Sequence, residues 1–566
     1  MKLLESRRLT GPNLLWDRAG AVLDVALSAE ERETVPELWA RQARRILDAV
    51  GWQREETRVR LFPNGASLAL SAPIDALYAA TEINEWAWTA AETLAHGWEE
   101  PSVAEAAERL REEIERERNP ALLALRDSAL SRGVAFLSDD DHASVGLGTG
   151  SLTWPARELP APEAVDWSRV HDIPVLLVTG TNGKTTTVRL LAAILRAAGK
   201  VAGLTSTDHI EVAGEILDRG DFSGPGGART LLRDPRVEVA ILETARGGIL
   251  RRGLALTAAD AADAALVTNI AADHLGDLGV EDLPSLADVK MVITRVVGPG
   301  GRVVLNAEDP LLVERAGQVA APLVWFGLDP DGPVLRRAIE EGGEAWTVED
   351  GQLVRWQAGR REPIVPVAEV PLTFGGAARH NVANALAALA LAGALDLAPE
   401  ALAAGLKSLR NTPEDNPGRA NLFEIGGVRL LVDYAHNPHG IAALAELSAS
   451  LSAERKLMVI GQAGDRDDEA IRDLARAAWQ TRPDHIVVKD LPSMLRGRNA
   501  GDVPAILVDE LRRLGVPEDR FEMAETEIEA VHQALAWARP GDLLILLVHT
   551  QRDEVLALLG QLQAAG

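Results

Sequence analysis

Cysteine is absent from the 566 residues, and tyrosine occurs only twice. Without cysteine there is no disulfide framework, no thiolate metal site and no thiol nucleophile. No apolar run approaches the ~18 residues that a membrane helix needs, so no transmembrane span and no membrane partner are expected. The opening residues, MKLLESRRLTGPN, hold no continuous apolar stretch of the kind a secretory signal carries. A cytoplasmic location follows by default. Positive charge is also scarce: 58 Lys and Arg stand against 84 Asp and Glu, a net charge of −26. Nucleic acid is therefore not an expected partner, because it needs a basic footprint. The acidic excess reads as a solubilising surface.

What is present is an ordinary globular composition, 47% hydrophobic and 25% charged. The length suggests about three or four domains, and the pattern is that of an α/β multidomain chain. Residues 1–152 read as an N-terminal α+β domain, with amphipathic helices at 30–50 and 102–118. Within it, 58–72 reads as a hairpin around Asn64-Gly65. Residues 153–174, rich in Pro and Ala, read as a linker. From 175 to 411 strands alternate with helices, which predicts a mostly parallel sheet. Strands are expected at 239–242, 264–269 and 302–306, a small antiparallel insertion within 327–370, and an Ala-rich helix at 380–391. A turn cluster at 411–418 opens a second α/β series, 412–566, with strands at 428–433, 456–461, 485–488 and 543–548.

The chemistry centres on residues 175–190, VLLVTGTNGKTTTVRL. An apolar β-branched run meets Gly180, Thr181, Asn182 and Gly183, and Lys184, Thr185 and Thr186 open a helix. Backbone N–H groups at a helix start bind phosphate, Lys reaches the terminal phosphates and a Thr hydroxyl suits Mg²⁺. Val178 stands where the longer form of this loop carries a glycine. The expected ligand is ATP.

Other polar clusters sit at strand ends, where open α/β sheets place their sites. Glu243 is a Mg²⁺ ligand or a turn acid, with Arg246 just beyond it. Asp273 and His274 follow the next strand, and Lys290 reads as a snorkelling surface lysine. His380, Asn381 and Asn384 begin the Ala-rich helix; the two amides suit an adenine edge or an N-cap. In the last series Arg419, Asp433, His436, Asn437 and the pair Arg496 and Arg498 are singly solvated turns. Jointly they suggest a cleft that closes on nucleotide and substrate.

In order, GTNGKTTT, LETARGGIL, the DH loop, a downstream Lys, HNVAN, PGR and DYAHNP resemble the Mur ligase family. The stretches GDFSGP, GDRDDE and LRGR, with LTGPNLLW near the N-terminus, are similar to its cyanophycin-synthetase branch. The resemblance implies a P-loop central domain, a Rossmann-like C-terminal domain and an ATP- and Mg²⁺-dependent amide ligase. In such an enzyme ATP phosphorylates a carboxylate and an amine attacks the acyl phosphate. It implies catalytic roles for Lys184, His274, Lys290 and Arg419, and metal ligation by Thr185, Glu243, His274 and a carbamylated Lys290. Gly180 to Thr186 would bind phosphate, His380, Asn381 and Asn384 the adenine region, and Arg419 and Asp433 phosphate and ribose. Ser223, Arg246, His436, Asn437, Arg496 and Arg498 would meet substrate. The partners implied are a small amino acid, basic by the branch it resembles, and an aspartyl or peptide carboxylate acceptor; a homo-oligomer stays open. A family member acting on an unrelated substrate, or a non-catalytic polymer-binding homologue, are the alternatives. Two departures stand out. SVGLGTG at 144–150 is the threshold of an ATP-grasp module in that branch, yet the chain passes directly to 153–174 and the P-loop. At 82–86, EINEW has lost both histidines of an HxxEH metal motif, so no zinc peptidase site is expected there.

Overall fold

The strand Val175–Thr179 is apolar up to its last residue and buried throughout, as a strand covered on both faces must be. In the computed structural model, which describes residues 1–258 and 261–565, it lies near the middle of an eleven-stranded sheet. Val239–Glu243 and Ala262–Val267 run parallel on its two sides. Register sets Glu243 beside Val178 and Val267 beside Thr179, so all three strands deliver their following loops to one edge. One face packs on Lys184–Ala197 and Arg379–Ala392, whose Leu and Ala residues close over Leu176, Ile241 and Leu266. The other face, with Leu177, Leu242 and Val267, packs on Leu286, Val289 and Ile293.

The antiparallel pairing expected within 327–370 is present, but as the edge of the main sheet rather than as a separate insertion. Leu323–Phe326 and Glu344–Glu349 continue the parallel ladder, and Gln352–Gln357 and Arg360–Pro366 add an antiparallel edge to the same sheet. Short alternating runs carry no sign of what covers them. Here Trp346 and Leu353 are buried in the same cluster as the Ala-rich helix.

The first residues form a four-stranded antiparallel sheet, packed on helices Ala29–Ala49 and Leu77–Ala95. The expected hairpin is Thr57–Phe62 with Gly65–Ser71. The Pro- and Ala-rich stretch is more ordered than its composition suggests. Leu152–Pro155 completes a three-stranded sheet, and Val165 with Trp167 and Val170 packs against Leu125 and Phe136. Isolated Val and Trp anchors have no period to read. The last sheet has six strands: an antiparallel edge, Asn421–Ile425, and parallel strands that include Val428–Asp433, Lys456–Ile460, His485–Lys489 and Leu543–Leu547. No helix among the described residues is long and apolar enough to cross a membrane.

Candidate active site

The loop after Val175–Thr179 is held from two directions. Gly183 is left-handed at φ 87°, and the Asn384 amide fills the space a Cβ would need. The Asn182 N–H donates to Asn269 Oδ1 (3.0 Å), while its carbonyl accepts from Thr268 Oγ1 (2.7 Å) and Asn269 Nδ2 (3.0 Å). No side chain caps helix Lys184–Ala197, which leaves its first N–H groups to an anion. The Lys184 ammonium donates to the Gly180 and Thr181 carbonyls at 3.1 and 3.0 Å, lying across the loop.

Beside this loop the Thr185 hydroxyl donates to Glu243 Oε2 at 2.9 Å. Glu243 Oε1 is buried without a hydrogen-bond partner. Burial raises the Glu243 carboxyl, against the pull of Lys184. Lys290 is not the surface lysine its sequence suggested: it is 4% exposed. The helix Leu283–Met291 turns it inward, and burial with Lys184 near by pushes its ammonium well below the usual range.

The C-terminal sheet closes over these groups. Asn437 and Asn182 exchange amide hydrogen bonds at 3.1 and 3.2 Å. The Arg466 guanidinium lies 2.9 and 2.7 Å from the two His274 ring nitrogens, donating to whichever carries no proton, and donates to Asp273 Oδ1 at 3.2 Å. Burial, with Arg466 adding to it and Asp273 opposing, brings His274 down to about 4, a neutral ring. Arg552 reaches Asp208 at 2.5 Å, and Asp208 also holds Arg189 at 2.7 Å. Arg419 stacks 4.3 Å from the Tyr434 ring centroid. Between the sheets lies a cavity of about 1480 Å³, lined from both sides.

Of the residues singled out in the sequence, Gly180 to Thr186, Ser223, Glu243, Arg246, His274, Lys290, Arg419, His436 and Arg496 line that cavity. Six do not: His380, Asn381, Asn384, Asp433, Asn437 and Arg498. Asn381 donates to the Leu372 carbonyl (2.9 Å) and accepts from Asn384 (3.1 Å), so this pair is neither a helix cap nor cavity-facing. Asp433 accepts the Ala420 and Ala435 N–H groups, both at 2.8 Å. Arg498 donates to the Gly464 and Arg466 carbonyls and so shapes the Arg466 loop. Asp208, Arg466 and Arg552 were not singled out. Each stands just beyond a strand end, and that position was the available signal.

A P-loop sheet and a second parallel sheet facing each other across a polar cavity define a two-sheet α/β nucleotide-site architecture. The Mur ligase middle domain model matches residues 178–392, and the model for the Mur ligase, glutamate ligase domain matches 418–547. The chain belongs to the Mur ligase family. Within it, the chain is 40% identical over 374 residues to cyanophycin synthetase of Synechocystis sp., covering 66% of this chain and 42% of that one. It is 39% identical over 375 residues to cyanophycin synthetase of Trichormus variabilis, covering 66% and 41%. The chain thus spans about two fifths of the length of these curated relatives. It is also 26% identical over 430 residues to the UDP-N-acetylmuramoyl-L-alanyl-D-glutamate–2,6-diaminopimelate ligase of Geobacter metallireducens, covering 68% and 79%. In fold it is similar to E. coli FolC in complex with ADP, at a TM-score of 0.50 and 23% identity over 69% of this chain and 90% of that one.

Proposed function

We propose that the chain is an ATP-dependent carboxylate–amine ligase, joining a small amino acid, basic in character, to a carboxylate of an aspartyl or peptide acceptor. The observation that carries this reading is the shared cavity: the P-loop, Thr185, Glu243, Lys290, Arg246 and Arg419 all line it. The γ-phosphoryl group of ATP passes to the acceptor carboxylate oxygen and ADP leaves. The donor amine, having lost its proton, then attacks the acyl carbon and phosphate departs. Positioning and charge neutralisation supply the catalysis. Lys184 meets the terminal phosphates, Arg419 meets phosphate from the opposite sheet, and Arg246 orients the acceptor carboxylate.

The donor set fits one Mg²⁺. Glu243 has an unpartnered buried oxygen, and Thr185 stands at hydrogen-bond distance from the other. A few hard oxygens completed by phosphate suit that ion, which supplies charge neutralisation when bound. A second metal through His274 fits less well here, because both its ring nitrogens face Arg466. Among the described residues no three His, Cys, Asp or Glu side chains cluster to hold a metal. Lys290, pushed toward its neutral form, has the amine that attacks CO₂ to give a carbamate and a proton, which would add the missing oxygens.

The test is ADP release over a panel of amino acids and acceptor peptides. Turnover that requires both a donor and an acceptor is expected, and Lys184→Ala should abolish it. ATP binding without turnover across a broad panel would favour the non-catalytic polymer-binding reading instead.

A further inference from the structure

Two segments that line the cavity, the short helix Arg246–Arg251 with Arg252 and the loop around Asp273–Asp277, are fastened to one another: Arg246 donates to Asp277 Oδ2 at 2.8 Å. Both are also fastened to the N-terminal sheet. The Thr10 N–H donates to the Arg252 carbonyl at 2.7 Å, and the Leu254 N–H donates to the Pro12 carbonyl at 2.8 Å. Arg7, paired with buried Asp24, donates to the Leu250 carbonyl at 3.3 Å. Glycine is required on both sides of this contact. A Cβ on Gly11 would overlap the Leu254 carbonyl, and one on Gly253, which sits at φ +84°, would stand 2.8 Å from the Pro12 carbonyl. Backbone meets backbone here with no side chain between them.

The second segment, the loop, is conformationally costly. His274, Gly276, Leu278 and Gly279 all have positive φ, at 52°, 84°, 53° and 69°. Such a loop persists only when its surroundings over-determine it. Arg60, on hairpin strand Thr57–Phe62, donates to the Gly279 carbonyl at 2.7 Å, and Phe62 lies where a Cβ on Gly279 would be, 2.5 Å away.

We propose that the N-terminal sheet is a positioning part of the cleft: residues 10–13 and Arg60 with Phe62 hold the Arg246 helix and the His274 loop in place for the acceptor carboxylate. Nucleotide binding is left to the P-loop, which the N-terminal sheet is not needed to brace. What the cleft binds rests on the ligase reading above; the bracing does not.

The test uses the full chain with Gly11→Val and Arg60→Ala, read first by hydrogen–deuterium exchange. Exchange across 246–256 in the first variant, and across 273–280 in the second, should quicken about tenfold, as the loss of one or two hydrogen bonds implies. Exchange across 175–197 and ADP affinity should stay unchanged. Arg60→Lys, which keeps a donor, should restore most of the protection at 273–280. In turnover, KM for the acceptor should rise several-fold while KM for ATP holds. Unchanged exchange in both segments overturns the proposal, as does ADP affinity that falls in parallel with acceptor affinity. If Gly11→Val does not fold, Arg60→Ala decides alone. If the wild-type chain turns over no substrate, the ligase reading fails while the exchange measurement still decides the bracing.

Discussion

Asp208 shows how a single side chain ties the two sheets together. Burial pushes its carboxyl up, but Arg419, Arg189 and Arg552 reverse this and hold it at about 2, against 3.8 when free. A depressed carboxyl stabilises the fold above its unfolded value, and that contribution is lost as pH falls from about 3.8 through about 2. The difference is worth about 2 kcal/mol. Asp208→Asn should therefore lower stability at neutral pH by about that amount and flatten the acid limb below pH 4, seen in denaturant titrations at several pH values. Lys290 makes the opposite case, a cation whose burial is unfavourable. Lys290→Met should leave stability unchanged or raise it by about 1 kcal/mol, measured by thermal unfolding, while ADP release is lost. Residue identity was legible at Lys184, Thr185 and Glu243, because a motif fixes their place relative to a strand end. Lys290 misled for a physical reason: apolar neighbours on a helix describe equally a snorkelling lysine and a buried one.

At the scale of elements, the loop from His549 to Arg552 is built by a buried ion pair. Glu527 accepts the N–H groups of His549, Thr550 and Gln551 at 2.7, 3.0 and 2.7 Å. Lys489, fully buried, pairs with the same carboxylate and donates to the Leu547 carbonyl. Together they aim Arg552 at Asp208. Glu527→Ala leaves Lys489 buried and unpaired, and should cost about 3–5 kcal/mol in equilibrium unfolding. Glu527→Gln keeps the acceptor for the loop and should cost less. Most of the parallel strands were legible, since β-branched apolar runs bounded by Gly, Asp and Asn have few other readings. In the 327–370 region the antiparallel runs were legible but not their place in the main sheet, because alternation reports two faces but not which sheet the strand joins.

For the whole molecule, the contacts of Asn437 with Asn182 and of Arg466 with His274 and Asp273 hold the C-terminal sheet against the P-loop. A double variant, Asn437→Ala with Arg466→Ala, should open the cleft and raise the radius of gyration in small-angle X-ray scattering, with unfolding of each sheet little altered. An unchanged radius would mean that the remaining bridges, Asp208 with Arg552, His439 with Asn182 and His436 with Asp273, suffice. The sequence by itself determined the phosphate loop, the alternation of strand and helix that makes parallel sheets, and the family, because these depend on short-range spacing and local backbone chemistry. Only the tertiary structure decided which polar groups share a cavity. It turned Lys290 inward, withdrew Asn381, Asn384 and Asp433 into hydrogen bonds behind the wall, and brought Asp208, Arg466 and Arg552 to one cavity. It also set Gly11 of the N-terminal unit against Leu254 beside the cleft. Asn381, Asn384 and Asp433 turn away through partners close in sequence, whereas the inter-sheet and N-terminal contacts join residues about two hundred or more positions apart, where burial and pairing, rather than neighbouring sequence, set each side chain's charge and direction.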